Sequence, residues 1–292
     1  DALALILALR SPEIRVVGIT TVAGNVEVHR CTRNVHEVVR RLRIAPSPPV
    51  VAGAPRPLHL PLLTAPEVHG AGGLGTLTAK AAPAIRTDPL EAARFIGAQA
   101  RAYGGRLTIV AVGPLTNIAH AFRLFPGPMR SVGRIITMGG AFTVPGNTGP
   151  VAEFNYYVDP HAVQEVTRHA RRLLVVPLDV TEQLTLMWDE MIRRTRRSTT
   201  RWMRALVRGT MDYHLATEGF RGAYLHDPIA VAEAVVPGIL ATRSVTIAIA
   251  TGSGIVRGMT SASPGRTQSR QHALATCIDE VAFRNLFQRV WT

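Results

Sequence analysis

The chain has 292 residues, 47% of them apolar, enough to bury the core of a large domain. Its 33 basic against 20 acidic side chains give a net charge of +13, yet Lys80 is the only lysine, and an excess that is nearly all arginine reads as compositional bias rather than as a surface shaped for nucleic acid. No apolar run reaches the ~18 residues of a membrane span, Cys31 and Cys277 are too few for a disulfide framework, and residues 1–10 lack the basic start of a secretory signal; a reducing cytoplasm is the expected setting.

In chain order, hydrophobic periodicity predicts a helix over 2–9, a strand over 15–20, a helix over 27–42 and a short strand over 49–52. The proline-rich stretches 45–49 and 55–66 read as surface loops. Gly70-Ala71-Gly72-Gly73-Leu74-Gly75 satisfies the G-x-G-x-x-G pattern of dinucleotide sites, but the residues before it form no strand and no clear helix follows, so that site is rejected. A helix over 89–103, a buried strand over 107–112 ended by Gly113-Pro114, and a helix over 115–124 come next. Strands over 134–138 and 173–178 bracket a helix over 160–168. Alternating strands and helices, with no linker or internal repeat, predict one α/β domain over 1–292, built on a mostly parallel sheet with helices on both faces.

The loop over 138–160 holds one acid and two amides within glycine-rich sequence just after a buried strand, where such sheets collect ligands. Asn147, Glu153 and Asn155 can each bond sugar hydroxyls; the two asparagines can equally serve turn geometry and caps. Asp159 and Pro160 fit the N-cap and first turn of the helix that follows. Arg193, Arg194, Arg196, Arg197, Arg201, Arg204 and Arg208 form a basic run. Clustered arginine can neutralise phosphates, but a solvated helical face is the simpler reading, with Trp202 the one aromatic nearby to stack on a base. His226-Asp227-Pro228 can be a helix-capping turn or a reactive pair.

Met138-Gly139-Gly140, Gly146-Asn147, Glu153-Phe154-Asn155 and Asp159-Pro160 together resemble the nucleoside hydrolases of the inosine-uridine-preferring type. The likeness extends over almost the whole chain, through Gly18-Ile19-Thr20-Thr21-Val22-Ala23-Gly24-Asn25, Thr32-Arg33-Asn34, Gly113-Pro114-Leu115-Thr116-Asn117, Val176-Pro177-Leu178-Asp179-Val180-Thr181 and Leu225-His226-Asp227-Pro228, in order. Each motif is weak alone; the ordered set is specific.

The resemblance implies cleavage of the N-glycosidic bond of ribonucleosides with a bound calcium ion. It assigns metal oxygens to Asp1, Asp227 and the carbonyl of Thr116, and ribose contacts to Asn25, Asn147, Glu153 and Asn155. His226 would protonate the departing base, a task suited to an imidazole titrating near neutrality. His69-Gly70 matches a histidine-glycine that the family carries in a loop near the substrate, although Ala71 and Gly72 stand where members usually have polar or acidic residues. The base pocket is expected from residues 184–225. The family opens with a strand ending in Asp-Thr-Asp-Pro-Gly-x-Asp-Asp, and Asp1 corresponds to its last aspartate. On that alignment the chain is N-terminally truncated and lacks the general base, so it is expected to be inactive and poorly stable as given. Homo-oligomers and a place in nucleoside salvage are further implications. A non-catalytic nucleoside-binding relative and, less favoured, a basic nucleic-acid-binding protein are the competing readings.

Overall fold

The computed structural model describes residues 1–80, 88–264 and 271–292. Helix α1 (Ala2–Leu9) buries Leu3, Ala4, Ile6 and Leu7. Strand β1 (Ile19–Thr21), helix α2 (Val28–Leu42) and strand β2 (Val50–Ala52) follow, and the two strands pair in parallel. The strand predicted over 15–20 forms only at its end. In the observed register residues 15–18 would lie opposite Pro46, Ser47, Pro48 and Pro49, and proline has no N–H to offer a ladder.

After the short helix α3 (Pro66–His69) come α4 (Glu91–Tyr103), β3 (Thr108–Ala111), α5 (Thr116–Leu124), α6 (Pro126–Ser131), β4 (Arg134–Met138), α7 (Phe154–Val158), α8 (Pro160–His169) and β5 (Leu173–Val176). Pro177 ends β5 early and caps α9 (Leu178–Thr181), so the strand predicted over 173–178 is shorter than its apolar run. The remainder is β6 (Thr185–Met187), α10 (Trp188–Arg194), α11 (Met203–Glu218), β7 (Gly222–Tyr224), α12 (His226–Val235), β8 (Leu240–Ile249), β9 (Thr260–Pro264), β10 (His272–Ile278) and α13 (Glu280–Phe287).

The main sheet has the order β3-β4-β5-β10-β8-β9, and among the described residues β1-β2 and β6-β7 form separate two-stranded pairs. Strands β3, β4, β5 and β10 are mutually parallel, while β8 runs antiparallel to both β10 and β9. The sheet is therefore mixed, parallel at its centre, with an antiparallel flank beyond the predicted elements.

Successive strand residues point to opposite faces, and each face has its own apolar cluster. Ile135, Leu173 and Val175 meet Ile96, Ile118, Phe122 and Val163 from α4, α5 and α8. Ile136, Leu174 and Val176 meet Leu7, Met211, Ile229 and Phe283 from α1, α11, α12 and α13. Helices on both faces explain why β4 and β5 read as continuous apolar runs.

Asp159 fastens one side of this assembly. It is fully buried, its Oδ1 accepts from Ala162 N as the N-cap of α8 (3.0 Å), and its Oδ2 accepts from Leu58 N (2.9 Å) and the Thr116 hydroxyl (2.7 Å). The capping role expected from sequence is joined to a tertiary one, linking α5, α8 and the loop after β2. Among the described residues no helix is long and apolar enough to cross a membrane.

Candidate active site

The polar groups gather beyond the carboxyl ends of the strands. Strand β4 ends at Met138 and runs into Gly139-Gly140, β1 runs into Ala23-Gly24-Asn25, and β7 delivers the chain to His226 and Asp227 in the first turn of α12. That start of a helix favours the Asp227 carboxylate electrostatically.

Asp227 is the centre. Its Oδ2 lies 2.5 Å from the α-ammonium of Asp1, and Asn25 donates from Nδ2 to Oδ2 of Asp1 at 3.0 Å. Glu153 is buried, and burial, with the like charge of Asp227, raises its carboxyl to about 7 despite three backbone N–H donors. Those donors are Asn155 (2.8 Å), Tyr156 (3.1 Å) and Gly140 (3.1 Å), which bind the acid to both the start of α7 and the glycine turn.

His226 is partly buried, and its Nδ1 lies 2.7 Å from the hydroxyl of Thr181. Desolvation draws its pKa to about 4, against the opposing pull of Asp227. Its ring is thus neutral at physiological pH, unlike the near-neutral titration expected from sequence. His69 is drawn to about 4 as well, first by desolvation and then by the Asp1 ammonium, with Asp227 and His226 also acting on it. The loop that carries it is held from two sides: Arg30 and Asn34 donate to the carbonyls of Ala71 (2.8 Å) and Gly72 (2.7 Å), and Thr76 N donates to Ala205 O (2.9 Å). The glycine-rich stretch therefore follows a helix, not a strand, and it positions a histidine rather than a dinucleotide.

The remaining candidates have local duties. Asn155 donates from Nδ2 to Met138 O at 3.3 Å, and Asn147, which is exposed, accepts from Phe154 N at 2.9 Å. Both asparagines support backbone, as the turn reading allowed. Thr116 opens α5 and its hydroxyl serves Asp159; the metal oxygen assigned to its carbonyl rests on the resemblance alone. Asp179, beside the site in sequence only through its motif, fixes the turn after Gly140 by accepting from Phe142 N (2.9 Å) and Thr143 N (2.7 Å).

Sequence reasoning missed Thr181 as a partner of His226, and an aromatic group beside it. The rings of Tyr224 and His226 are 5.5 Å apart, and Tyr224 in turn touches His214 (5.2 Å) and Phe220 (5.3 Å). These residues lie within 184–225 or next to it, the stretch expected to supply a base pocket. The basic run is divided: Arg193, Arg196, Arg197, Arg201 and Arg208 are exposed, as a solvated face would be, and the others have partners within the chain. Arg204 donates to Thr195 and Ile192, Arg194 pairs with Glu190, and the Trp202 ring carries Arg41 at 5.3 Å instead of standing free.

The shifted groups make stability depend on pH. His69 and His226 take up a proton on unfolding anywhere between about 4 and 6.5, so their contribution falls as pH drops through that window. Glu153 acts oppositely: its folded form holds a proton up to about 7, a contribution present in acid and lost as pH rises through 7. Glu182, which burial and the nearby Glu218 and Asp179 also raise to about 7, sides with Glu153, so two groups oppose two and stability is expected to change by no more than about 1 kcal/mol between pH 7.5 and 5. Urea midpoints at the two pH values measure it; a steep fall of the midpoint toward pH 5 would contradict the balance.

The family model for inosine-uridine preferring nucleoside hydrolases matches residues 1–286. The chain is 35% identical over 269 residues to a probable uridine nucleosidase 2 of Arabidopsis thaliana, covering 89% of this chain and 81% of that protein. It is 32% identical to the inosine-uridine preferring nucleoside hydrolase of Crithidia fasciculata, covering 100% and 91%. Among solved structures, a plant nucleoside hydrolase superposes with a TM-score of 0.91 at 29% identity, covering 100% of this chain and 95% of the other. A purine-preferring ribonucleoside hydrolase from Gardnerella vaginalis gives 0.90 at 28% identity, covering 99% and 94%. The chain belongs to the inosine-uridine preferring nucleoside hydrolase family, and the fold is that of these enzymes.

Proposed function

We propose that the protein hydrolyses the N-glycosidic bond of ribonucleosides, releasing free base and ribose, with calcium as its metal. The observation that carries the reading is the convergence of Asp1, Asn25, His69, Glu153, His226 and Asp227 at the carboxyl ends of the strands, coupled through Asp227.

The residues fit a hard cation. The carboxylates of Asp1 and Asp227 are oxygen donors, brought together where the Asp1 main-chain nitrogen lies 2.5 Å from Asp227 Oδ2 and Asn25 Nδ2 donates to the Asp1 carboxylate. Among the described residues no cluster of three or more His, Cys, Asp or Glu forms. Two carboxylates thus leave most of the ~6 to 8 oxygens that calcium takes to backbone carbonyls, such as that of Thr116, to substrate hydroxyls and to water. Calcium bound there would polarise a water and the ribose hydroxyls.

The chain's own groups do the rest. Glu153, Asn25, Asn147 and Asn155 would hold ribose hydroxyls, and His69 and His226 would face the base. The bond breaks with positive charge growing on the ribose ring and negative charge on the base; the buried Glu153, in its ionised form, would stabilise the first, and an N–H of His226 would meet the second. We further assign one domain over 1–292, a homo-oligomeric state and a cytoplasmic role in nucleoside salvage.

Base release from inosine and uridine, with calcium content measured on the same protein, tests the reading. Turnover that chelation abolishes and added calcium restores is expected. Nucleoside binding without turnover would leave a non-catalytic binding protein instead, and a salt-dependent shift on mixing with DNA would revive the nucleic-acid reading.

A further inference from the structure

Thr181 lies 45 positions before His226 in sequence and closes α9, directly beneath the site. It is fully buried, as are Leu178 and Val180 on either side of Asp179. Helix α9 is tied to the glycine turn by Leu178 N donating to Gly140 O (2.9 Å), and Thr181 N donates to Pro177 O (3.0 Å). The side chain therefore has a fixed position, and its Oγ1 stands 2.7 Å from Nδ1 of His226.

A neutral imidazole carries its single proton on one nitrogen, and the partner of the other decides which. Among the described contacts the Thr181 hydroxyl has one polar partner, Nδ1. If Nδ1 carried the proton and donated it, the hydroxyl hydrogen would be left without an acceptor in a fully buried place. If the hydroxyl donates to Nδ1, its hydrogen has an acceptor and only lone pairs of the threonine oxygen go unmet. A buried donor without an acceptor is the dearer omission.

We propose that Thr181 is the positioning residue for His226: its hydroxyl donates to Nδ1 and so holds the ring as the Nε2–H tautomer, with a hydrogen-bond donor presented to the departing base. Thr181 touches no substrate itself. The Tyr224 ring, 5.5 Å from that of His226, helps to fix the imidazole plane, and the threonine fixes which nitrogen is the donor. The proposal rests on the hydrolase reading for its kinetic consequence, not for its tautomer.

Both can be read separately on protein labelled with 13C and 15N at histidine. Long-range correlations within the imidazole, assigned to His226 by their loss in His226→Gln, report the tautomer without substrate. The Nε2–H pattern is expected in the parent and in Thr181→Ser, and its loss or mixing in Thr181→Val. With uridine or inosine, Thr181→Val is expected to lower kcat about 10- to 100-fold at nearly constant KM, with Thr181→Ser within about threefold of the parent. An Nδ1–H pattern in the parent overturns the proposal, as does Thr181→Val leaving both pattern and kcat unchanged. Should Thr181→Val fail to fold, the parent and Thr181→Ser spectra still decide it. The Nε2–H pattern with no turnover in any variant upholds the tautomer and counts against the hydrolase reading.

Discussion

Asp227→Asn is expected to lower kcat/KM for nucleosides on the order of 10³-fold, equivalent to about 4 kcal/mol of transition-state stabilisation. The substitution keeps the shape of the side chain in the first turn of α12 and removes the charge on which the site converges. Three effects follow from one change. A metal oxygen loses its negative charge, the Asp1 ammonium loses its partner at 2.5 Å, and Glu153 loses the like charge that helps to hold its carboxyl near 7. Because Asp227 is only partly buried, the fold should survive, and circular dichroism melts should stay close to those of the parent. Steady-state kinetics with uridine and inosine, run beside calcium content, provide the measurement. A variant within tenfold of the parent and still loaded with calcium would sink the assignment of Asp227 as the centre of the site.

The second large effect belongs to a residue with no side chain. A Cβ added at Gly139 would lie 2.2 Å from the ring of Tyr156, which is itself fully buried and has nowhere to retreat. Gly139→Ala is therefore expected to destabilise the protein by about 3 kcal/mol, at the upper end of overpacking penalties. It should also displace the turn on which Gly140 N meets Glu153, so activity should fall in whatever fraction remains folded. Gly72→Ala is the control, since a Cβ there meets nothing within 4 Å. Urea unfolding of the two variants should differ clearly; equal midpoints would show that Tyr156 yields and the packing argument fails.

Much of the sheet's parallel half was legible because its signals are local. Residues 134–138 carry Ile135, Ile136 and Met138 and run into two glycines, and Asp159-Pro160 states a helix start in two residues; the strand forms over 134–138 and the helix starts at Pro160 as expected, running one residue further, to His169. The antiparallel flank was not read, because β8, β9 and β10 are exposed on part of their length and β10 reaches the sheet through β5, far back in the sequence. The site divides in the same way. Ordered motifs pointed to Asp1, Asn25, Glu153, His226 and Asp227, which the fold does bring together. They could not show that Asn147 and Asn155 hold backbone groups, nor that Thr116 serves Asp159, since a motif preserves a residue type without saying which of its atoms is engaged. The depressed histidines were illegible for a plainer reason: desolvation depends on neighbours that only the folded chain supplies.

The order of strands also sets a timetable. Strand β10 lies between β5 and β8, yet it follows β3, β4, β5, β8 and β9 in the chain. As the protein emerges from a ribosome, β3, β4 and β5 can associate early, and β8 can pair with β9, but the two halves have no common neighbour until residues 272–278 are free. Until then the inner edges of β5 and β8 present unpaired backbone to any other strand in reach. Residues 272–278 thus act as the closing piece of the sheet, and the nascent chain is most exposed to misassembly just before they emerge.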